Sequence, residues 1–147
     1  MAAADEKSLE HQLCFAIYSA SLAFTRAYRP LLEELDLTYP QYLAMSLLWQ
    51  EDGLTVGQLA ERLSLESGTV TPLIKRLEQA DLLTRCRSRI DERQVHVHLT
   101  PKGTALKPVA SRLTDDVKAL VGPRFIDDAG LIETLQALRK VLTGDGR

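Results

Sequence analysis

The chain has few aromatic residues, only two cysteines and almost no net charge. One Trp, four Tyr and three Phe among 147 residues leave the core to aliphatic side chains. Cys14 and Cys86 have no paired spacing, which excludes a secreted disulfide framework and points to a reducing, cytoplasmic compartment. No apolar run approaches the roughly 20 residues of a membrane span, so no membrane partner is expected. Met1 to Lys7 lacks the apolar segment of a signal peptide. The net charge of −2 excludes a uniformly basic protein.

What is present is the composition of one globular domain, 45% hydrophobic and 26% charged. The charge is unevenly spread. Residues 1–56 carry three basic and eight acidic side chains, whereas residues 75–89 carry five basic and two acidic ones. A local patch of this kind binds phosphates whatever the total.

Periodicity orders the chain. Apolar residues from Leu9 to Leu35 recur at three- and four-residue spacing, predicting one long helix over 8–35, kinked or broken at Pro30. Thr38-x-x-Gln41 and Thr55-x-x-Gln58 read as capping boxes that open two helices. A turn from Ser64 to Gly68 leads into a helix to Ala80, with Val70, Leu73, Ile74 and Leu77 as its apolar stripe. From Leu82 the period changes to two. Thr84, Cys86 and Ser88 alternate with Arg85, Arg87 and Arg89, and Val95, Val97 and Leu99 alternate with Gln94, His96 and His98. These two strands form a hairpin with an Arg-rich tip. Thr100-Pro101 caps a helix over roughly 102–120, and Asp127-Asp128 opens a last one to about Leu142.

Short helix, turn, helix and Arg-tipped hairpin make a winged helix-turn-helix. The expected fold is mainly α with a small β-hairpin wing. Its parts are an N-terminal dimerisation helix over 1–37, a DNA-binding lobe over 38–100 and C-terminal dimerisation helices over 101–147, interwoven as one domain. The second helix of such a pair fits the major groove, and the hairpin reaches the adjacent minor groove. Ser67, Thr69 and Thr71 stand at the start of the recognition helix, where hydroxyls and backbone N–H groups meet phosphate. Lys75 and Arg76 follow one to two turns on. Arg85, Arg87, Arg89 and Arg93 supply the wing, with Asp91 orienting Arg93 by an ion pair. The partner is double-stranded DNA with a near-palindromic operator, bound by a homodimer.

Leu54 to Gly103 resembles the MarR family of winged-helix repressors. The resemblance is carried by Asp91-Glu92-Arg93 and by Leu99-Thr100-Pro101-Lys102-Gly103. The N-terminal half is similar to the OhrR subgroup of organic-hydroperoxide sensors in three stretches: Leu13-Cys14-Phe15-Ala16-Ile17-Tyr18-Ser19-Ala20, Tyr28-Arg29-Pro30-Leu31-Leu32 and Leu37-Thr38-Tyr39-Pro40-Gln41-Tyr42-Leu43. This resemblance runs from about Leu9 to Gly103. The last two helices match only in pattern.

The resemblance implies a repressor that releases DNA when an organic hydroperoxide oxidises Cys14. Tyr18 lies one turn beyond Cys14 on the same helix face, and a phenol donates well to a thiolate. Tyr28 is fourteen residues from Cys14, about 21 Å along a straight helix, so contact between the two requires another chain. The resemblance implies that Tyr28 and Tyr39 make that contact across a dimer interface. His11 reads as an exposed residue at the helix start. Cys86 reads as a small residue packed under the wing rather than a resolving thiol. No cysteine follows it, so the chain resembles the one-cysteine type, completed by a low-molecular-weight thiol. No cofactor and no metal are expected.

Three rival readings differ in class. His96-x-His98 places two imidazoles on one strand face, half of a zinc site without an obvious third ligand. A thiol peroxidase would turn hydroperoxide over at Cys14 but needs a resolving thiol and a recycling partner, and the chain offers no Cys-x-x-Cys and no thioredoxin-like strand order. A small-molecule effector in the crevice between arm and wing lobe would leave Cys14 incidental.

Overall fold

Local capping chemistry sets where several of the helices begin. In the computed structural model, which describes residues 8–145, Thr38 accepts from the Gln41 N–H at 3.4 Å while the Gln41 side chain accepts from the Thr38 N–H at 3.0 Å. This opens α2, Tyr39–Gln50. Thr55 and Gln58 repeat the exchange at 3.1 and 2.9 Å and open α3, Val56–Leu63. Each such cap contributes about 1 kcal/mol. Ser64 closes α3 in the left-handed region at φ +56°. The recognition helix α4 follows as Ser67–Gln79.

The hairpin pairs β1, Leu83–Arg87, with β2, Val95–Leu99, in antiparallel register from Leu83 opposite Leu99 to Arg87 opposite Val95. The loop before α3 lies along the other edge of β2. The Gly53 N–H donates to the Val97 carbonyl at 3.0 Å, and the Val97 N–H donates to the Leu54 carbonyl at 2.8 Å. The root of the wing is thereby tied to the α2–α3 connection.

The chain divides into two compact units, residues 1–110 and 111–147. The first has an aliphatic core in which Met45, Leu48, Leu59, Val70, Ile74, Leu77, Leu83 and Val97 are fully buried. They come from α2, α3, α4 and both strands. Burial of a side chain of this size stabilises by about 1.5–3 kcal/mol. Leu63 and Leu73, expected in the same core, are half-buried. Gly103 is a requirement of packing, since a Cβ there would collide with the Leu82 carbonyl oxygen. Its own carbonyl accepts from the Trp49 indole N–H at 2.9 Å.

Several expectations are corrected. The helix over 8–35 is not single. A 3-10 turn, Leu9–His11, precedes α1, Leu13–Glu33, and Gln12 between them is extended. Pro30 does not break α1. It lies in the last turns, where its missing N–H removes one bond and the helix ends three residues later. The helix expected over 102–120 is two, α5 at Pro101–Ala105 and α6 at Lys107–Val121. Pro108 has no N–H to offer the Thr104 carbonyl. The Leu106 N–H turns back to Gly103 instead.

In the second unit, α6 ends before Gly122, whose φ of +82° favours glycine. A short α7, Pro123–Ile126, was not anticipated. Asp128 accepts from the Leu131 N–H at 2.9 Å and starts α8, Ala129–Thr143. The readings of Met1–Lys7 and of the last two residues of the Gly-rich tail lie outside the described residues. Among the described residues, no helix is long and apolar enough to cross a membrane.

Candidate nucleic-acid interface and sensor thiol

The first turn of α4 presents Ser67 and Thr69 to solvent, with Lys75 and Arg76 exposed further along. Thr71 differs from expectation. It is half-buried, and its hydroxyl donates to the Ser67 carbonyl at 3.0 Å, so its proton is engaged within the helix. A cleft of about 590 Å³ between α3, α4 and the wing brings Ser67, Thr71, Arg85 and Arg93 to one surface, with Gln58 and Glu61 on its α3 side.

The wing arginines fall into two groups. Arg85 is clasped by Glu78 of α4. Its Nη2 and Nε donate to Glu78 Oε1 at 3.0 and 3.2 Å, and its backbone N–H donates to Oε2 at 3.0 Å. The side-chain bonds from Arg85, then its backbone N–H, hold the Glu78 carboxyl below the usual carboxylate range. Arg87 donates through Nη1 to the Glu92 carbonyl at 3.1 Å, within the wing. Arg89 and Arg93 extend into solvent, the Arg93 side chain 95% exposed. Asp91 stands 3.8 Å from Arg93 Nε, as an orienting ion pair requires. It also accepts from the Arg93 N–H at 3.1 Å.

Cys86 is not packed under the wing. It is exposed, because no further layer covers a two-stranded hairpin on that face, and every β1 residue after Leu83 is exposed. Its cross-strand neighbour is His96. His96 is half-buried, with Nδ1 3.0 Å from the Gly53 carbonyl, and so does not stand free on the strand face. His98 Nδ1 lies 3.9 Å from Asp52 Oδ2. Among the described residues, no group of three or more His, Cys, Asp or Glu could hold a metal ion.

Cys14 is exposed in the first turn of α1, and Tyr18 is 62% exposed one turn on. His11 is exposed in the preceding 3-10 turn. The far half of α1 carries Tyr28, whose ring centroid lies 4.7 Å from that of Tyr39. Tyr42 joins them at 6.3 and 6.4 Å. The sequence signal for Tyr42 was its place three residues beyond Tyr39 on one helix face. Burial pushes the Tyr28 phenol up to about 12, with Tyr39 and Tyr42 adding to the rise. Burial, then Tyr42, also raises Tyr39. Both phenols therefore keep their protons at neutral pH. Cys14 and Tyr28 belong to one continuous helix, so the roughly 21 Å between them holds within the chain.

Fold and sites together define a winged-helix transcriptional regulator. Residues 26–108 match the family described as transcriptional regulator SarA/Rot, and the chain belongs to this MarR-like family of DNA-binding proteins. It is 52% identical over 106 residues to the organic hydroperoxide resistance transcriptional regulator of Bacillus subtilis, covering 72% of each chain. It is 47% identical over 138 residues to the HTH-type transcriptional regulator TtmR of Methylorubrum extorquens, covering 94% of this chain and 71% of that one. The solved structure of reduced AbfR bound to DNA is similar with a TM-score of 0.79 at 30% identity, covering 92% of this chain and 93% of that one. AbfR is a protein of Staphylococcus epidermidis. The family and these relatives are transcriptional regulators, not enzymes.

Proposed function

We propose that the protein is a repressor that binds a near-palindromic operator as a homodimer and releases it when an organic hydroperoxide oxidises Cys14. Ser67, Thr69, Lys75 and Arg76 meet the major groove, while Arg89 and Arg93 enter the minor groove. Arg85 and Arg87 brace the wing, and Asp91 orients Arg93. Thr71 supports the first turn of the recognition helix.

The observation that carries this reading is the layout of α1. An exposed thiol stands at one end and a pair of protonated phenols at the other, and the helix between them exposes Ile17, Leu22 and Phe24. A second copy laid antiparallel along this face brings the partner's phenols to Cys14. Two or three such donors favour the thiolate, the form that reacts.

The thiolate attacks one peroxide oxygen. The O–O bond breaks as the S–O bond forms, and the leaving alkoxide takes a proton to become the alcohol. Cys14 is then a sulfenic acid. A small thiol condenses with it, forming a mixed disulfide and water. The bulk of that adduct separates the arms and changes the spacing of the recognition helices. AbfR has been solved overoxidised and bound to DNA, and also in a disulfide form. That pair supports a switch in which added oxygen alone is not enough to release DNA.

The test is DNA binding before and after one equivalent of cumene hydroperoxide, with and without a small thiol. Release is expected only with both. Cys14→Ser should bind DNA and ignore peroxide, and Cys86→Ser should respond like the parent. An insensitive Cys86→Ser protein would move the sensor to the wing. A Cys14→Ser protein still released by peroxide would sink the proposal.

A further inference from the structure

The tip of the wing carries an isoleucine that the fold does not use. Ile90 is 99% exposed. Most other exposed apolar side chains lie on α1 and α8, with Leu9, Leu65, Leu120 and Phe125 outside them, and none is as exposed as Ile90. Ile90 is far along the chain from both arms, between Arg89 and the Asp91–Arg93 turn. Tight turns favour Gly, Asn, Asp, Ser and Pro, and a β-branched apolar residue gains nothing there from the backbone. A lone exposed apolar residue is ordinary on a surface, but one held at the tip of a DNA-binding wing is placed where a contact outside the chain can use it.

The loop that displays Ile90 is braced. Ser88 Oγ accepts from the N–H groups of Ile90 and Asp91, each at 3.2 Å. The Gln94 N–H donates to the Asp91 carbonyl at 2.9 Å, and the Ser88 N–H donates to the Gln94 carbonyl at 2.9 Å. The Arg87 guanidinium holds the Glu92 carbonyl from below. The side chain is thus presented on a braced support, after Arg89 and before the turn in which Asp91 pairs with Arg93.

Resting on the reading that the wing enters the minor groove, we propose that Ile90 is an apolar wedge at the wing tip that selects a deformable base step. The minor groove is about 6 Å wide, and apolar side chains of this size unstack base steps within it. Pyrimidine–purine steps open most easily. Arg89 and Arg93 hold the flanking phosphates or the groove floor, and Ile90 supplies a preference that arginine does not.

The experiment uses the full chain and a duplex enriched from a random-sequence pool by the parent protein. Ile90→Ala is expected to weaken binding about tenfold, since most of a buried isoleucine side chain is lost. The slope of affinity against salt should stay unchanged, because no phosphate contact is removed. Arg89→Ala should instead make that slope shallower by about one. Enrichment repeated with Ile90→Ala should lose the pyrimidine–purine step at the wing position. If Arg89→Ala weakens binding and Ile90→Ala neither does so nor alters the enriched sequence, the wedge is wrong and the wing reading stands. If both variants bind like the parent, the wing reading falls and the wedge with it. Because Ile90 touches no core residue, its truncation leaves folding intact.

Discussion

Tyr28 is where sequence, packing and chemistry meet in one side chain. It stands on α1, packs its ring against Tyr39 from α2, and has its phenol raised to about 12 chiefly by burial. Tyr28 therefore keeps its proton at neutral pH, as the proposed contact with a partner's thiolate requires. The same shift has a thermodynamic consequence. A group whose folded pKa lies above its usual 10.0 contributes its full stability below pH 10 and loses it as pH rises through about 12. Unfolding by urea at stepped alkaline pH should show stability falling over that window. Tyr28→Phe should lose part of the fall, together with the latest step in the tyrosinate absorbance titration. A titration unchanged by Tyr28→Phe would show that the phenol is not shielded as the packing implies.

Between elements, the decisive contact is the Glu78–Arg85 clasp, which joins the recognition helix to the first wing strand. On the proposed function it holds together the two parts that would enter neighbouring grooves. Both side chains are about one-third exposed, so the ion pair itself contributes only about 0–1 kcal/mol to stability. Its weight falls on positioning. Glu78→Gln should leave the melting temperature nearly unchanged and weaken DNA binding severalfold. The lowered carboxyl pKa gives the sign with pH. The contribution is present above the ordinary value of 4.5 and is lost as pH falls through the lower folded value. DNA affinity followed downward from neutral pH should lose a component that Glu78→Gln lacks. Equal affinity and equal pH dependence in parent and variant would remove the clasp from DNA recognition. This contact was not legible in the sequence, because it spans a helix end and a strand and depends on how they pack. The caps at Thr38, Thr55, Thr100 and Asp128 were legible, since each is complete within three residues. The hairpin was legible from its period of two. Its lack of a covering layer was not, and that is why Cys86 was expected inside and stands outside. The tyrosine pair was reached through resemblance, whereas the third ring, Tyr42, needed the packing of α1 on α2.

For the molecule as a whole, the proposed function makes sensing and DNA binding depend on the same event, the pairing of two copies. The arm residues Leu13 and Ile17 and the α8 residues Leu131, Ile132 and Leu135 are exposed in the single chain. On the proposed function, a second copy covers these side chains on each helix. Light scattering at micromolar concentration should therefore give twice the 16.4 kDa chain mass. Ile17→Glu sets a charge into the apolar face, and in a two-fold dimer it does so twice. The variant should be monomeric, with its lobe still folded, since Ile17 lies outside the buried core. Loss of the second half-site should weaken operator binding by about a hundredfold or more, the usual gain from linking two sites. A second readout separates dimerisation from sensing. If partner phenols stabilise the Cys14 thiolate, the monomeric variant must lose that help. Its alkylation by iodoacetamide should then slow at neutral pH relative to the dimer, while alkylation of Cys86 in the wing proceeds at the same rate in both. Equal Cys14 rates in monomer and dimer would mean that the tyrosines of one chain do not tune the thiol of the other, and the arms would then be an interface without a sensor.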